Sequence, residues 1–160
     1  MENLTLFNIG CGGDYKEGFV NIDRSVVSPR GKRIKVDLVF ELGEKWPYNE
    51  DNFVDGIVSM HVLQQLSWRD LVMCLREAYR VLKIGGIMRF GCPTVEVGRD
   101  LDYLLGWNNI NLFSKDLLEK VFSRIGFSLE EKEFGQSKLP ILATLDNRKD
   151  RGTIYFEAIK

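Results

Sequence analysis

Three groups of residues in this chain have the types and spacing to do chemistry. Gly10, Gly12 and Gly13 fall together in the segment NIGCGG. Lacking a Cβ, they let the backbone take φ > 0 and bring peptide N–H groups against a ligand. Asp23 closes the segment FVNID, where a carboxylate at a strand end can accept hydrogen bonds from a ribose diol. His61, the single histidine, follows the apolar run FVDGIVS. Its imidazole is the side chain whose ordinary pKa lies nearest neutrality. Each group also has a plainer reading. The glycines could be a tight strand connection, Asp23 a solvated turn carboxylate, and His61 a group that bonds the backbone or shapes a pocket.

The elements that would position these groups follow from periodicity. Residues 4–9 and 19–23 read as two short apolar strands. Only eight residues, 11–18, separate the first glycine from the second strand. A parallel neighbour normally needs a crossover of about a dozen residues or more, so the usual helix is absent or cut to a turn. Residues 24–33 are a loop, 34–40 a third strand and 53–59 a fourth. Ser67 with Asp70 three residues on opens a helix whose apolar face is Leu71, Leu75, Ala78 and Leu82. Lys83 is expected in its last turn and Gly85-Gly86 as its stop. Residues 87–91 make a fifth strand, and a short helix is expected within 95–105. A second capped helix spans 114–125, with Leu117, Leu118, Val121, Phe122 and Ile125 inward and Gly126 as its end. Strands at 127–134 and 153–159 close the chain, joined by a polar loop, 135–152, expected to be mobile or functional. Asp37 and Asp55, inside strand patterns, read as structural. The fold class is α/β: one domain over residues 1–160, with a mostly parallel seven-stranded sheet and an antiparallel edge.

Composition narrows the function. The chain has 160 residues, a net charge of −1 and no Lys/Arg run, so the electrostatic footprint of a nucleic-acid binder is missing. Cys11, Cys74 and Cys92 are odd in number and not in metal-ligand spacing, as expected of buried thiols in a reducing compartment. No signal peptide and no membrane-spanning run is legible, and a cytoplasmic location is expected.

Five segments in order, NIGCGG, NID, VDLVFEL, WPYNEDNFVDGIVSMHVLQQL and REAYRVLKIGGIMRFGCP, resemble class I S-adenosylmethionine-dependent methyltransferases. More narrowly, the chain is similar to a compact group of predicted methyltransferases whose glycine turn runs almost directly into the second strand. Members of that group often accompany genes for cell-surface polysaccharide synthesis, which implies a small-molecule or glycan acceptor. The resemblance implies that Asn8, Gly10, Cys11, Gly12 and Gly13 lie against the cofactor's methionine part. It implies that Asp23, with Arg24 beside it, meets the ribose. Glu41 would face the adenine amino group, and the Leu42 N–H the ring. Ser59, Met60 and His61 would wall the methionine moiety and face the acceptor. Asn8 stands where relatives carry an acid, so its bond to the cofactor's ammonium lacks a charge on the acceptor. Asp14 replaces a last glycine, Gln64 and Gln65 replace a Glu and a His, and Ile84 replaces a proline.

The chemistry agrees with the resemblance. S-adenosylmethionine has no phosphate and does not need the N-terminal dipole of a long helix, which a pyrophosphate exploits. Tyr15 also falls where a dinucleotide fingerprint would place its third glycine. Methyl transfer is an in-line displacement, so the protein must align the acceptor, exclude water and help a hydroxyl lose its proton. His61 is the candidate base, with Asp100 and Asp102 behind it, and Tyr15, Tyr103 and Trp107 are candidate pocket walls. No Asn/Asp-Pro-Pro-aromatic motif follows the fourth strand, which argues against DNA bases as acceptors, and no metal cluster is legible. The alternative reading is a protein that binds S-adenosylmethionine and acts through a partner, with little transfer of its own. A domain this small leaves its cleft open, so a homodimer or a protein lid is expected.

Overall fold

The computed structural model describes residues 4–97, 109–146 and 152–160. Seven strands form one sheet in the order β3-β2-β1-β4-β5-β7-β6. They are β1 (Leu6–Ile9), β2 (Val20–Asp23), β3 (Leu38–Val39), β4 (Val54–Met60), β5 (Leu82–Cys92), β6 (Ser128–Lys132) and β7 (Ile154–Ile159). β1 to β5 pair in parallel, and β7 runs antiparallel to both β5 and β6. Helix α1 (Trp68–Val81) joins β4 to β5, and α2 (Lys115–Ile125) precedes β6.

Alternation along the strands sends two unlike sets of side chains to the two faces. Phe7, Ile9, Ile57, Met88 and Phe90 face the helices and meet Leu71, Leu75, Ala78, Leu118 and Phe122. Phe90 stacks between Phe122 and Phe156, with centroids 4.8 Å and 5.3 Å away. Both helices start on a serine whose Oγ accepts a backbone N–H in the first turn, from Asp70 at 3.2 Å and from Leu117 at 3.1 Å. Gly126 ends α2 at φ 121. The opposite face has a smaller apolar cluster, Leu6, Phe19, Val58, Ile87 and Leu142. Buried polar groups, among them Asn8, Asn21, Arg89 and Glu157, share that face with it.

Three expectations are corrected. The third strand pairs over two residues rather than 34–40, because just before it the Asp37 carboxylate takes the Asn21 N–H that a longer strand would bond through its backbone. α1 ends at Val81, and Lys83, Gly85 and Gly86 belong to β5. Val54 pairs with Leu82 there, and Gly85 and Gly86 bond the backbone of Lys160; a strand partner outcompetes another helical turn. The 135–152 loop is in part a packed element. Residues Pro140–Leu145 form a 3-10 turn with Leu142 wholly buried, and a Cβ on Gly56 would meet Leu142 at 2.8 Å. Past 94, a 3-10 turn covers Val95–Val97; the rest of the expected 95–105 helix, with Asp100, Asp102, Tyr103 and Trp107, lies outside the described residues. Asp37 and Asp55 do act structurally. Asp37 accepts from the Asn21 backbone, and Asp55 from the Thr5 N–H and Lys83. No described helix is long and apolar enough to cross a membrane.

The segment after β3 is pinned to α1 by charge. Glu77 accepts the Trp46 N–H at 2.9 Å and the Arg80 guanidinium at 2.7 Å. Arg80 in turn donates to the carbonyls of Tyr48 and Glu50. Burial raises the Glu77 pKa, but Arg80 and the Trp46 N–H outweigh it and leave the carboxyl below its ordinary 4.5. A depressed folded pKa gives stability that is present above the unfolded value and lost as pH falls through the folded one. Thermal melts should therefore drop in midpoint below about pH 4.5, and Glu77→Gln should flatten that slope. An unchanged slope would locate the acid sensitivity elsewhere.

Candidate functional site

Three strand tips and a glycine turn meet at the carboxyl ends of β1, β2 and β4. With eight residues between turn and strand, side chains organise what a helix would otherwise hold. Asn21, fully buried in β2, is the hub. Its Oδ1 accepts from Lys16 N and Asn8 Nδ2, both at 2.9 Å. Its Nδ2 donates to the carbonyls of Lys16 and Phe19 and to Asp37. Asn8 Nδ2 also donates to the Asp14 carbonyl at 2.8 Å. A carbonyl can only accept, so the amide nitrogen of Asn8 must face it. Asn8 Oδ1 is then left as an acceptor that no donor among the described residues meets.

Gly10 and Gly12 sit at φ 64 and φ 51, the left-handed region that glycine enters without a steric cost. A Cβ on Gly10 would lie 2.3 Å from Val62 Cγ2, so β1 and the segment after β4 can close only over glycine. At Gly12 and Gly13 the reverse holds, and an added Cβ would meet nothing within 4 Å. The Gly12 N–H donates to Asp23 Oδ2 at 2.9 Å, and the Cys11 N–H to the Ile22 carbonyl at 3.0 Å. Turn and acid are thus one unit with open space against its backbone.

The other tips are less uniform. The Phe40 N–H bonds the Asp23 carbonyl, which brings the exposed Glu41 beside that tip. Leu42 is buried, and its carbonyl accepts from Trp46 Nε1. Arg24 is exposed. Met60 packs on the smaller cluster. Ser59 is enclosed toward the helices, and its Oγ meets no partner among the described residues. His61, 8 % exposed, stands at φ 59. Its N–H bonds the Gly91 carbonyl at 2.8 Å, its carbonyl accepts from Gln65 Nε2, and its Nε2 lies 3.1 Å from Thr153 Oγ1. A non-glycine residue at positive φ, held from three sides, is the kind of strain that collects at functional sites.

A family profile described as a methyltransferase domain matches residues 5–90, more than half of the chain. The chain belongs to this family. No curated protein sequence matches it. Solved structures share its fold. One is the complex between the Haloferax volcanii Trm112 methyltransferase activator and a methyltransferase, 18% identical over 99% of this chain and 83% of that one, TM-score 0.69. An Archaeoglobus fulgidus SAM-dependent methyltransferase is 16% identical over 98% and 86%, TM-score 0.68. A Mesorhizobium loti S-adenosylmethionine-dependent methyltransferase is 17% identical over 99% and 91%, TM-score 0.65.

In this methyltransferase-domain chain the charge at the turn is negative. Burial first, and then the carboxylates of Asp23, Asp37 and Asp14, push the Cys11 thiol up to about 11. Cys11 is therefore a neutral thiol and no nucleophile; burial likewise raises Cys74 and Cys92. Three acids around one turn would repel a pyrophosphate and attract a cation. Among the described residues no group of His, Cys, Asp and Glu could hold a metal ion.

Sequence reasoning missed Asn21, Val62 and Arg89. Asn21 was signalled by its period-two partnership with Asp23 in FVNID, and Arg89 by a lone cation within the apolar run IMRFGC. Val62 carried no signal, since its part is steric and lies 52 positions from Gly10.

Proposed function

We propose that this chain transfers a methyl group from S-adenosylmethionine to a hydroxyl of a small molecule or glycan. The observation that carries this reading is the Asp23 carboxylate bonded to the Gly12 N–H beside open backbone at Gly12 and Gly13. A carboxylate there suits a ribose diol. Asn8 Oδ1 suits an ammonium, Glu41 and Leu42 an adenine edge, and the surrounding acids a cofactor that is itself cationic. S-adenosylmethionine, when bound, supplies a methyl already activated on sulfur. The chain has then to align the acceptor and receive its proton. His61 is the group for that step, its ring steadied by the Thr153 hydroxyl. Of the two glutamines, the Gln65 side chain serves positioning by tying the His61 carbonyl, whereas residue 64 contributes its backbone carbonyl to the N–H groups of Ile110 and Asn111.

A protein partner belongs to the reading as well. The Haloferax neighbour was solved with an activator, and a cleft this open gains from a lid, whether an activator or a second copy of the chain. A cytoplasmic location is part of the same proposal.

Calorimetry with S-adenosylmethionine and with its demethylated product tests the cofactor. Binding of both is expected, and no heat with either would sink the reading. Asp23→Ala should weaken that binding roughly 5- to 150-fold, the equivalent of about 1–3 kcal/mol for stranding polar groups. Unchanged affinity would put the pocket elsewhere. Binding without turnover on any hydroxylated acceptor would favour a binding protein that acts through its partner.

A further inference from the structure

A groove of about 630 Å³ lies between α1 and the 43–45 loop, lined by none of the glycine-turn residues. α1 carries a second stripe at helical spacing beside its core face, with Trp68, Val72 and Met73 forming the apolar floor. Trp68 is 45% exposed, its ring held edge-on against Phe113 at 6.1 Å. The loop comes close because residue 43 is glycine; a Cβ there would lie 2.5 Å from Asp70. Lys45, Arg69 and Arg76 line the rim, all exposed. None of them makes an ion pair among the described residues, and Glu44 is the one carboxylate in the lining. With the Asp70 carboxylate against Gly43 counted as well, three cations stand against two acids, still a local excess on a chain whose net charge is −1.

We propose that this groove docks an acidic amphipathic segment of a partner protein. Charge complementarity selects the occupant: carboxylates flanking an apolar stripe would meet the three cations and cover the indole together. Openness argues against a small ligand, since small-molecule sites enclose most of their ligand. The stripe from Trp68 to Arg76 spans about 13 Å at 1.5 Å per residue, enough for roughly two turns of a partner helix. The groove lies beside the helix-covered face, whereas Asn8, Asn21 and Asp23 point to the other. The docking residues are distinct from those of the glycine turn, and the wall at Gly43–Lys45 directly follows Glu41 and Leu42.

The test uses the full chain and a synthetic helical peptide with leucines on one face flanked by glutamates. A matched peptide with glutamines in their place is the control. Trp68 emission and calorimetry should report saturable binding of the glutamate peptide, at least tenfold weaker for the control and weakened by added salt. Arg69→Glu/Arg76→Glu should lose at least tenfold in affinity with its melting midpoint unchanged. Lys45→Glu, on the opposite wall, should lose affinity too, and it serves if the double variant unfolds early. Trp68→Phe assigns the fluorescence. No saturable binding, equal binding of the glutamine peptide, or binding indifferent to the charge reversals would overturn the proposal. So would a dimer, seen by sedimentation, that the reversals abolish, because the occupant would then be a second copy.

Discussion

Arg89→Met should destabilise the protein by about 3–5 kcal/mol, the range for removing one partner of a buried ion pair. Arg89 is fully buried in β5. Its Nε and Nη2 donate to the two oxygens of Asp146 at 2.7 Å and 2.6 Å, and Nη2 also reaches the Glu133 carbonyl. Glu157, equally buried, lies 3.5 Å from Nη1. Without the guanidinium two buried carboxylates face each other, with Lys132 no nearer to Glu157 than 3.8 Å. The loop should loosen as well, since Asp146 also holds the Gly135 N–H and Glu157 the Ser137 hydroxyl. Urea unfolding checks the first effect, limited proteolysis within 133–146 the second. At roughly 2–4 °C per kcal/mol for a chain this size, the melting midpoint should fall by about 6–20 °C. Arg89→Met/Asp146→Leu should recover part of the loss, because it removes a stranded charge along with the cation. A single variant within about 1 kcal/mol of the parent would show that burial here is less complete than the geometry says.

His61→Gly separates a chemical role from a structural one. At φ 59 glycine relieves the backbone strain, which offsets part of the loss of the buried ring and its Thr153 bond. The variant should therefore stay folded with a modestly lower melting midpoint and keep its cofactor affinity. Turnover should fall roughly 10²- to 10⁴-fold if His61 takes the acceptor's proton. Thr153→Val, which removes the hydroxyl beside Nε2, should give a smaller loss with a similarly modest effect on stability. Retained turnover in His61→Gly would hand the proton to another group or to solvent. A collapse in stability without a kinetic defect would make His61 a structural residue of the β4 tip.

Local signals were sufficient for much of this molecule. Ser67 and Ser114 announced both helix starts, and the apolar runs announced strands in a workable order, because capping and period depend on neighbours in sequence. The short connection after Gly10 was legible from chain length alone. Helix and strand ends depended on remote partners. α1 stops at Val81 because β5 already pairs with β4 at Leu82, and a glycine pair three residues on could not foretell that. The 135–152 stretch looked polar and loose, yet Leu142 and Asp146 anchor it to β4 and β5.

For the candidate site the division is similar. The sequence by itself determined which groups were available: flexible backbone at Gly10, Gly12 and Gly13, an acid at the end of a strand, one imidazole, and the order of elements that makes a parallel sheet. Only the tertiary structure decided how they are held. Asn21 stands in for a missing helix, Val62 makes Gly10 obligatory, and the acid's own bond to Gly12 fixes the turn. The physical reason is that backbone freedom and side-chain charge are properties of single residues. Contact, burial and the direction of a lone pair belong to pairs that the chain brings together from far apart.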